Sequence, residues 1–135
     1  MNNNFEIGSV EFARHVIGCD PVATLLGIKI EDAKENYCKC SLVIQPQHLN
    51  VVERVHGAII CAMCDQAMGV AANTQGRRAL SLRLSINFIG SAVLGDKITA
   101  EAVAVNISNK ISFWRVEVKL NDKIIASGDT TAYHK

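Results

Sequence analysis

The stretch Gly57-Ala58-Ile59-Ile60-Cys61-Ala62-Met63-Cys64-Asp65-Gln66-Ala67-Met68-Gly69-Val70-Ala71-Ala72-Asn73 decides the fold. It reads as one helix over residues 57–73, with only Asp65, Gln66 and Asn73 markedly polar. A helix apolar on nearly every side is a buried helix. It is slightly short for a membrane span and carries an Asp at mid-segment, which argues against one.

The chain around it reads as strands. Upstream, Ser9 caps a short helix to about Ile17, and Asp20-Pro21 starts a second that stops at Gly27. Strands follow from Gly27 to about Ala33, and where Cys38, Cys40, Leu42 and Ile44 alternate with polar residues. Residues 46–50 form a loop. Downstream, Leu80, Leu82, Leu84, Ile86 and Phe88 alternate with Ser81, Arg83, Ser85 and Asn87. Turns at Gly95-Asp96, Asn109-Lys110 and Asn121-Asp122 separate three further strands, 97–107, 111–120 and 123–133. Two strands, one buried helix and four more strand segments predict an α+β domain with the helix covering one sheet face.

The 3.6-residue period divides the helix. The stripe around Asp65 holds Ala58, Cys61, Ala62, Met68, Gly69 and Ala72, all small except Met68. The bulkier Ile59, Ile60, Met63 and Val70 lie on other faces and suit packing on a sheet. The small side admits the close approach of another backbone, such as a second copy of the helix, and predicts a homodimer.

Asp65 stands out on such a helix, because a buried carboxylate must be paired, hydrogen-bonded or protonated. It is either a structural carboxylate held by Arg or backbone donors, or a catalytic base or nucleophile. At the helix start, Val55-His56-Gly57-Ala58 places a Gly in the first turn, whose amides lack intrahelical partners and face the positive dipole end. Such an amide suits an oxyanion; the alternative is a Gly chosen only for close approach. Gly57 and Asp65 are eight residues apart, roughly 12 Å along the axis. One carbonyl that uses both must therefore draw them from different chains across a two-fold axis.

Composition narrows the function classes. The 135 residues fit one domain, residues 1–135, with residues 1–8 expected as a polar, flexible tail. Lys plus Arg is 14 and Asp plus Glu 13, with no basic run, which argues against a nucleic-acid footprint. One Trp, two Tyr and four Phe are too few for a base-stacking platform. The opening residues carry no basic region followed by an apolar run, and the five cysteines make an odd count. Together these predict a cytoplasmic protein with reduced thiols.

The run Asn50-Val51-Val52-Glu53-Arg54-Val55-His56-Gly57-Ala58, followed by Asp65-Gln66-Ala67-Met68-Gly69, resembles the signature of hotdog-fold acyl-CoA thioesterases of the phenylacetate-degradation (PaaI-like) family. The likeness extends through Asp20-Pro21, Leu26-Gly27, Ser81–Phe88 and Leu94-Gly95-Asp96, and so covers most of the chain from about residue 20. It implies a long helix wrapped by a curved antiparallel sheet, and homodimers or homotetramers with active sites between subunits. It implies Asp65 as general base or nucleophile and the Gly57 amide as the group that polarises the thioester carbonyl. Asn50 would position carbonyl or water, His56 would support the interface, and Ser81 would help hold the water. Glu53 stands where the family usually has Gly, Ala58 replaces the second Gly of His-Gly-Gly, and Gly90-Ser91 replaces an Arg-Pro or Ser-Pro pair.

Other groupings read as structural. Cys61-x-x-Cys64 lies inside an apolar helix, without the strand-to-helix entry of a redox motif. Cys38 and Cys40 fit the apolar side of a strand better than a zinc site. His15, His48 and His134 lack partners at ligand spacing and are expected at the surface. The function expected is hydrolysis of an acyl-CoA to free acid and CoA, with no metal or redox cofactor and no nucleic-acid or membrane partner. The alternative is a non-catalytic acyl-CoA-binding or regulatory protein of the same fold.

Overall fold

The computed structural model describes residues 4–135. The expected tail falls partly outside the described residues, at 1–3. Of the rest, Phe5 stacks on His15 with ring centroids 5.3 Å apart, and the Gly8 carbonyl accepts from the Gly76 amide at 3.0 Å.

Two short helices precede the sheet: α1, Val10–His15, and α2, Pro21–Leu26, with a 3-10 turn Ile17–Cys19 between them. The caps read from sequence are formed. Ser9 Oγ accepts from the Phe12 amide at 3.0 Å, and Asp20 Oδ1 from the Ala23 amide at 2.9 Å. Gly27 ends α2 at φ 83°, a left-handed conformation in which glycine carries no Cβ penalty.

Strands β1, Lys29–Lys34, and β2, Tyr37–Val43, lead through a 3-10 turn at Pro46–His48 to α3, Gly57–Ala72, with Asn73 at its C-cap. Then come β3, Ala79–Phe88; β4, Lys97–Ile107; β5, Ile111–Leu120; and β6, Lys123–His134. They form one open six-stranded antiparallel sheet in the order β1-β2-β4-β5-β6-β3. The hotdog expectation holds: a single long helix lies on one face of an antiparallel sheet.

Register explains how the sheet receives the helix. Cys40, Ala100, Val118, Ala126 and Phe88 form one cross-strand row, and Cys38, Ala102, Val116, Gly128 and Ile86 the next. Their inner members are small or β-branched, so α3 seats closely over β2 and β4. A Cβ on Gly128 would lie 1.9 Å from the Ser85 carbonyl oxygen, so only glycine fits there. From α3 this core receives Ile59, Ile60, Met63, Cys64, Ala67, Met68, Val70, Ala71 and Ala72.

The helix is not buried all round, and this corrects the sequence reading. Ala58 and Asp65 are exposed and Cys61, Ala62 and Gly69 half-buried, so the small stripe is an open face in the single chain. Met68 and Ala72, assigned to that stripe by period alone, are buried.

Candidate active site

The loop before α3 is built by Asn50. Its Oδ1 accepts from the Val52 amide at 3.1 Å and the Arg54 amide at 3.0 Å, and its own amide donates to the Arg54 carbonyl at 2.8 Å. The carbonyl side of the Asn50 side-chain amide thus holds the turn, and Nδ2 has no acceptor among the described residues. Glu53 sits in this turn at φ 60°, at the position where the resembling family has glycine.

His56 caps the helix. Its amide donates to the His48 carbonyl at 2.8 Å, and its Nδ1 accepts from the Ala58 amide at 2.9 Å, which leaves the ring proton on exposed Nε2. The His56 carbonyl takes the amides of Ile59 at 2.9 Å and Ile60 at 3.3 Å. Of the four first-turn amides, the Gly57 N–H is the one without a protein acceptor among the described residues. It lies at the positive end of a helix of 16 residues. A Cβ on Gly57 would stand 3.2 Å from Phe88 Cζ, so the Phe88 ring packs beside Gly57. Sequence reading missed Phe88, which the alternation presents only as a core residue of β3.

Asp65 lies along the exposed stripe, facing β3. Ser81 Oγ donates to Asp65 Oδ1 at 2.5 Å. The two residues line an open groove of about 420 Å³ with Ala58, Cys61, Ala62 and Leu84. A carboxylate on a buried helix was expected at Asp65; in the single chain it is exposed, with one hydroxyl donor.

A β-bulge explains how Ser81 reaches the helix. Ser81 pairs with Ala132, whereas Arg83 pairs with Thr131 and Leu84 with Thr130, so Leu82 is an extra residue. An inserted residue switches the alternation. Ala79 and Ser81 face α3 before the bulge, and Leu84, Ile86 and Phe88 after it. Strict alternation had placed Ser81 opposite all of the leucines.

The five candidate residues therefore form two clusters in one chain. Asn50, His56 and Gly57 stand at the helix start. Asp65 and Ser81 stand roughly 12 Å further along it. The groove that the second cluster lines reaches Ala58, next in sequence to the first.

The remaining cysteines and histidines have other work. Burial pushes the Cys38 and Cys64 thiols up to about 12 and raises Cys61 as well, the opposite of an activated thiol. Among the described residues no group of three His, Cys, Asp or Glu side chains is placed to hold a metal ion. His15 is exposed as expected, but His48 and His134 are fully buried. His48 Nδ1 accepts from the Gln45 amide at 2.9 Å and Nε2 donates to the Leu26 carbonyl at 2.8 Å, tying α2 to the loop that leads to α3. His134 Nε2 lies 2.7 Å from Ser112 Oγ, which also accepts from Trp114 Nε1 at 2.7 Å. No helix among the described residues is long and apolar enough to cross a membrane.

Comparison with known proteins identifies the family. Residues 53–126, which carry the helix, Asp65, Ser81 and most of the sheet, match the family model of the thioesterase superfamily. A putative esterase of Archaeoglobus fulgidus is 37% identical over 84% of this chain and 75% of its own length. The acyl-coenzyme A thioesterase PaaI of Escherichia coli is 27% identical over 73% of this chain and 71% of its own. The solved structure of the E. coli PaaI protein from the phenylacetic acid degradation operon superposes with a TM-score of 0.83 at 25% identity, covering 86% of this chain and 85% of that one. With its Asn50…His56-Gly57…Asp65 constellation set on a single helix over an antiparallel sheet, the chain belongs to the thioesterase superfamily, in its PaaI-like branch.

Proposed function

We infer that the protein hydrolyses acyl-CoA thioesters, releasing a free carboxylic acid and CoA. The observation that carries this reading is a carboxylate with a hydroxyl donor, Asp65 with Ser81, in an open groove along the helix whose first-turn Gly57 amide has no protein acceptor among the described residues. The E. coli relative's name gives the same substrate class.

The chemistry follows from the groups. The Gly57 N–H, reinforced by the helix dipole, stabilises the negative charge that develops on the thioester oxygen. Asp65 either removes a proton from the attacking water or attacks the carbonyl carbon itself. In the first case Ser81 shares the water with Asp65; in the second it orients the carboxylate. CoA leaves as thiolate in both; in the second the acyl group is left on Asp65 as an anhydride, which water then hydrolyses to the free acid and the carboxylate. Asn50 Nδ2 is the donor left to position carbonyl or water, and His56 holds the first turn through Nδ1. No step calls for a metal or redox cofactor.

The roughly 12 Å between Gly57 and Asp65 calls for two chains per site. A dimer that stacks the small stripes of two α3 helices about a two-fold axis sets the Gly57 of one chain beside the Asp65 of the other. The free thiols fit a reducing, cytoplasmic setting.

The test is thiol release from a panel of acyl-CoAs, followed with a thiol reagent, beside calorimetry with CoA. Release that depends on Asp65 supports the reading. Tight binding with no release from any acyl-CoA favours the non-catalytic binder.

A further inference from the structure

At the edge of the sheet opposite β3, a cavity of about 320 Å³ lies among α1, the 3-10 turn Ile17–Cys19, α2 and the start of β1. It shares no lining residue with the groove at Asp65 and Ser81. Gly18 brings the 3-10 turn against β1, since a Cβ there would stand 2.6 Å from Ile30 Cγ1. Ala23, Ile28 and Ile30 make one part of the lining apolar.

The charged part of the lining is basic. Arg14, His15 and Lys29 contribute to it, and no Asp or Glu does. Among the described residues neither Arg14 nor Lys29 has an ion-pair partner; the ion pairs there join Arg83 to Asp129 and Lys97 to Glu31. Asp20, which follows the 3-10 turn, is spent as the α2 cap on the Ala23 amide. Carbonyls of the wall are spent as well. That of Arg14 takes the Cys19 thiol at 3.9 Å, and that of Cys19 takes the Thr24 hydroxyl at 3.2 Å. That of Ala23 takes the amides of Gly27 and Ile28, both at 2.9 Å. A ligand here meets the guanidinium and ammonium donors of Arg14 and Lys29 beside an apolar surface.

We propose that this cavity binds a small organic anion, a carboxylate or phosphate group on a compact apolar body. The anionic group sits between the Arg14 guanidinium, whose planar fork matches two oxygens, and the Lys29 ammonium. The apolar body lies on Ala23, Ile28 and Ile30. The volume is at the lower end of the roughly 300–1,000 Å³ of small-molecule sites, which suits a single ring or a short chain. The site is separate from the chemistry at Asp65, and its occupancy can be read without turnover.

The test titrates benzoate, phenyl phosphate and neutral benzamide into the wild-type protein and follows the methyl resonances of Ala23, Ile28 and Ile30. Iodoacetamide labelling of Cys19, an exposed thiol of the cavity wall, gives a second readout, with Cys61 of the reaction groove as reference. At least one of the two anions is expected to shift these methyls saturably and to slow labelling of Cys19 but not of Cys61. The tighter anion identifies the head group as carboxylate or phosphate. Arg14→Gln and Lys29→Gln each weaken its binding about three- to tenfold, the range between an exposed ion pair and a hydrogen bond to a charged group. Added salt weakens it too, and benzamide binds at least about threefold more weakly than the tighter anion. Thermal melts check both variants; Lys29 is exposed, so its variant decides if Arg14→Gln fails to fold. No saturable shift with either anion, benzamide binding as tightly, affinity unchanged in the folded variants, or protection of Cys61 in place of Cys19 overturns the site. None of these outcomes involves thiol release, so the thioesterase reading stands or falls by its own test.

Discussion

Ser81 Oγ donates to Asp65 Oδ1 at 2.5 Å across the seam between α3 and the edge strand β3. The bond ties the groove's carboxylate to a strand that has a sheet partner on one side only, β6. Its two members were separated in the sequence by 15 residues and by an apparent face reversal, which the bulge at Leu82 removes.

Asp65→Asn is expected to keep the fold and lose at least about a hundredfold in kcat, the lower end for a lost general base. Because Asp65 is exposed and its one side-chain partner is Ser81, the variant should melt close to wild type. Near-native turnover in the folded variant makes Asp65 structural. Ser81→Ala should cost less, since the carboxylate remains.

Gly57→Pro tests the amide itself. Proline is favoured at the first helical position, and the preceding residue, His56, already has the extended backbone that proline demands, φ −68° and ψ 138°. Proline removes the free N–H at little cost to the helix. Gly57→Ala keeps the N–H and crowds Phe88 in the same way. Loss of kcat by about 10²–10³ in the proline variant but not in the alanine variant marks an oxyanion donor. Equal loss in both means that crowding at Phe88 is the cause.

Glu53→Gly is expected to stabilise the protein. At φ 60° a residue with a Cβ bears roughly 1–2 kcal/mol of strain, against which glycine costs about 0.5–1 kcal/mol of chain entropy. The net gain is at most about 1.5 kcal/mol, read as a higher denaturation midpoint at unchanged slope. A lower midpoint means that the Glu53 side chain contributes more than its backbone costs.

Acid should destabilise the fold through His134. Burial, with the Arg77 cation as a second cause, holds it below the ordinary histidine value, and its Nδ1 has no partner among the described residues. The unfolded chain therefore takes up this proton first, near pH 6.5. Stability from this group is complete above that pH and falls as pH drops from about 6.5 toward the lower folded value, by at most about 1.4 kcal/mol per pH unit. Urea midpoints at pH 7.5 and 5.5 should differ more for wild type than for His134→Gln. Equal differences assign the acid sensitivity elsewhere.

Much of the architecture was legible because it rests on local chemistry. Asp20-Pro21 and Gly27 bracket α2 through a cap, a preset φ and a left-handed end, all properties of single residues. The long apolar run over 57–72 admits only a packed helix, and His56 to Asp65 keeps a nine-residue spacing that any helix preserves. What was hidden depends on partners distant in sequence. Leu80 to Phe88 alternate without a break, and the bulge at Leu82 emerges only from pairing with β6. Likewise His48 and His134 look like surface residues until the Leu26 carbonyl and Ser112 close on them from 22 residues away in each case. The exposure of Asp65 was misread because helix composition reports what is apolar, not which apolar stripe its own chain covers.

The separation of Gly57 from Asp65 makes the last prediction. If each site takes its amide from one chain and its carboxylate from the other, two dead variants should repair each other. Gly57→Pro and Asp65→Asn are each expected to be nearly inactive. Mixed in equal amounts, unfolded and refolded together, they assort at random, so about half of the dimers are mixed. In a mixed dimer one site combines the proline of the first chain with the asparagine of the second. The other combines the intact Gly57 of the second chain with the intact Asp65 of the first. About a quarter of all sites are then whole, and activity should return to about a quarter of that of wild type refolded in the same way. Ser81→Ala sharpens the result, because Ser81 bonds Asp65 within one chain. Paired with Gly57→Pro it should recover as Asp65→Asn does, and paired with Asp65→Asn it should not recover. Mass spectrometry that confirms mixed dimers, together with activity no higher than that of either variant alone, means that Gly57 and Asp65 serve the same chain. The roughly 12 Å along α3 would then have to be bridged by the substrate.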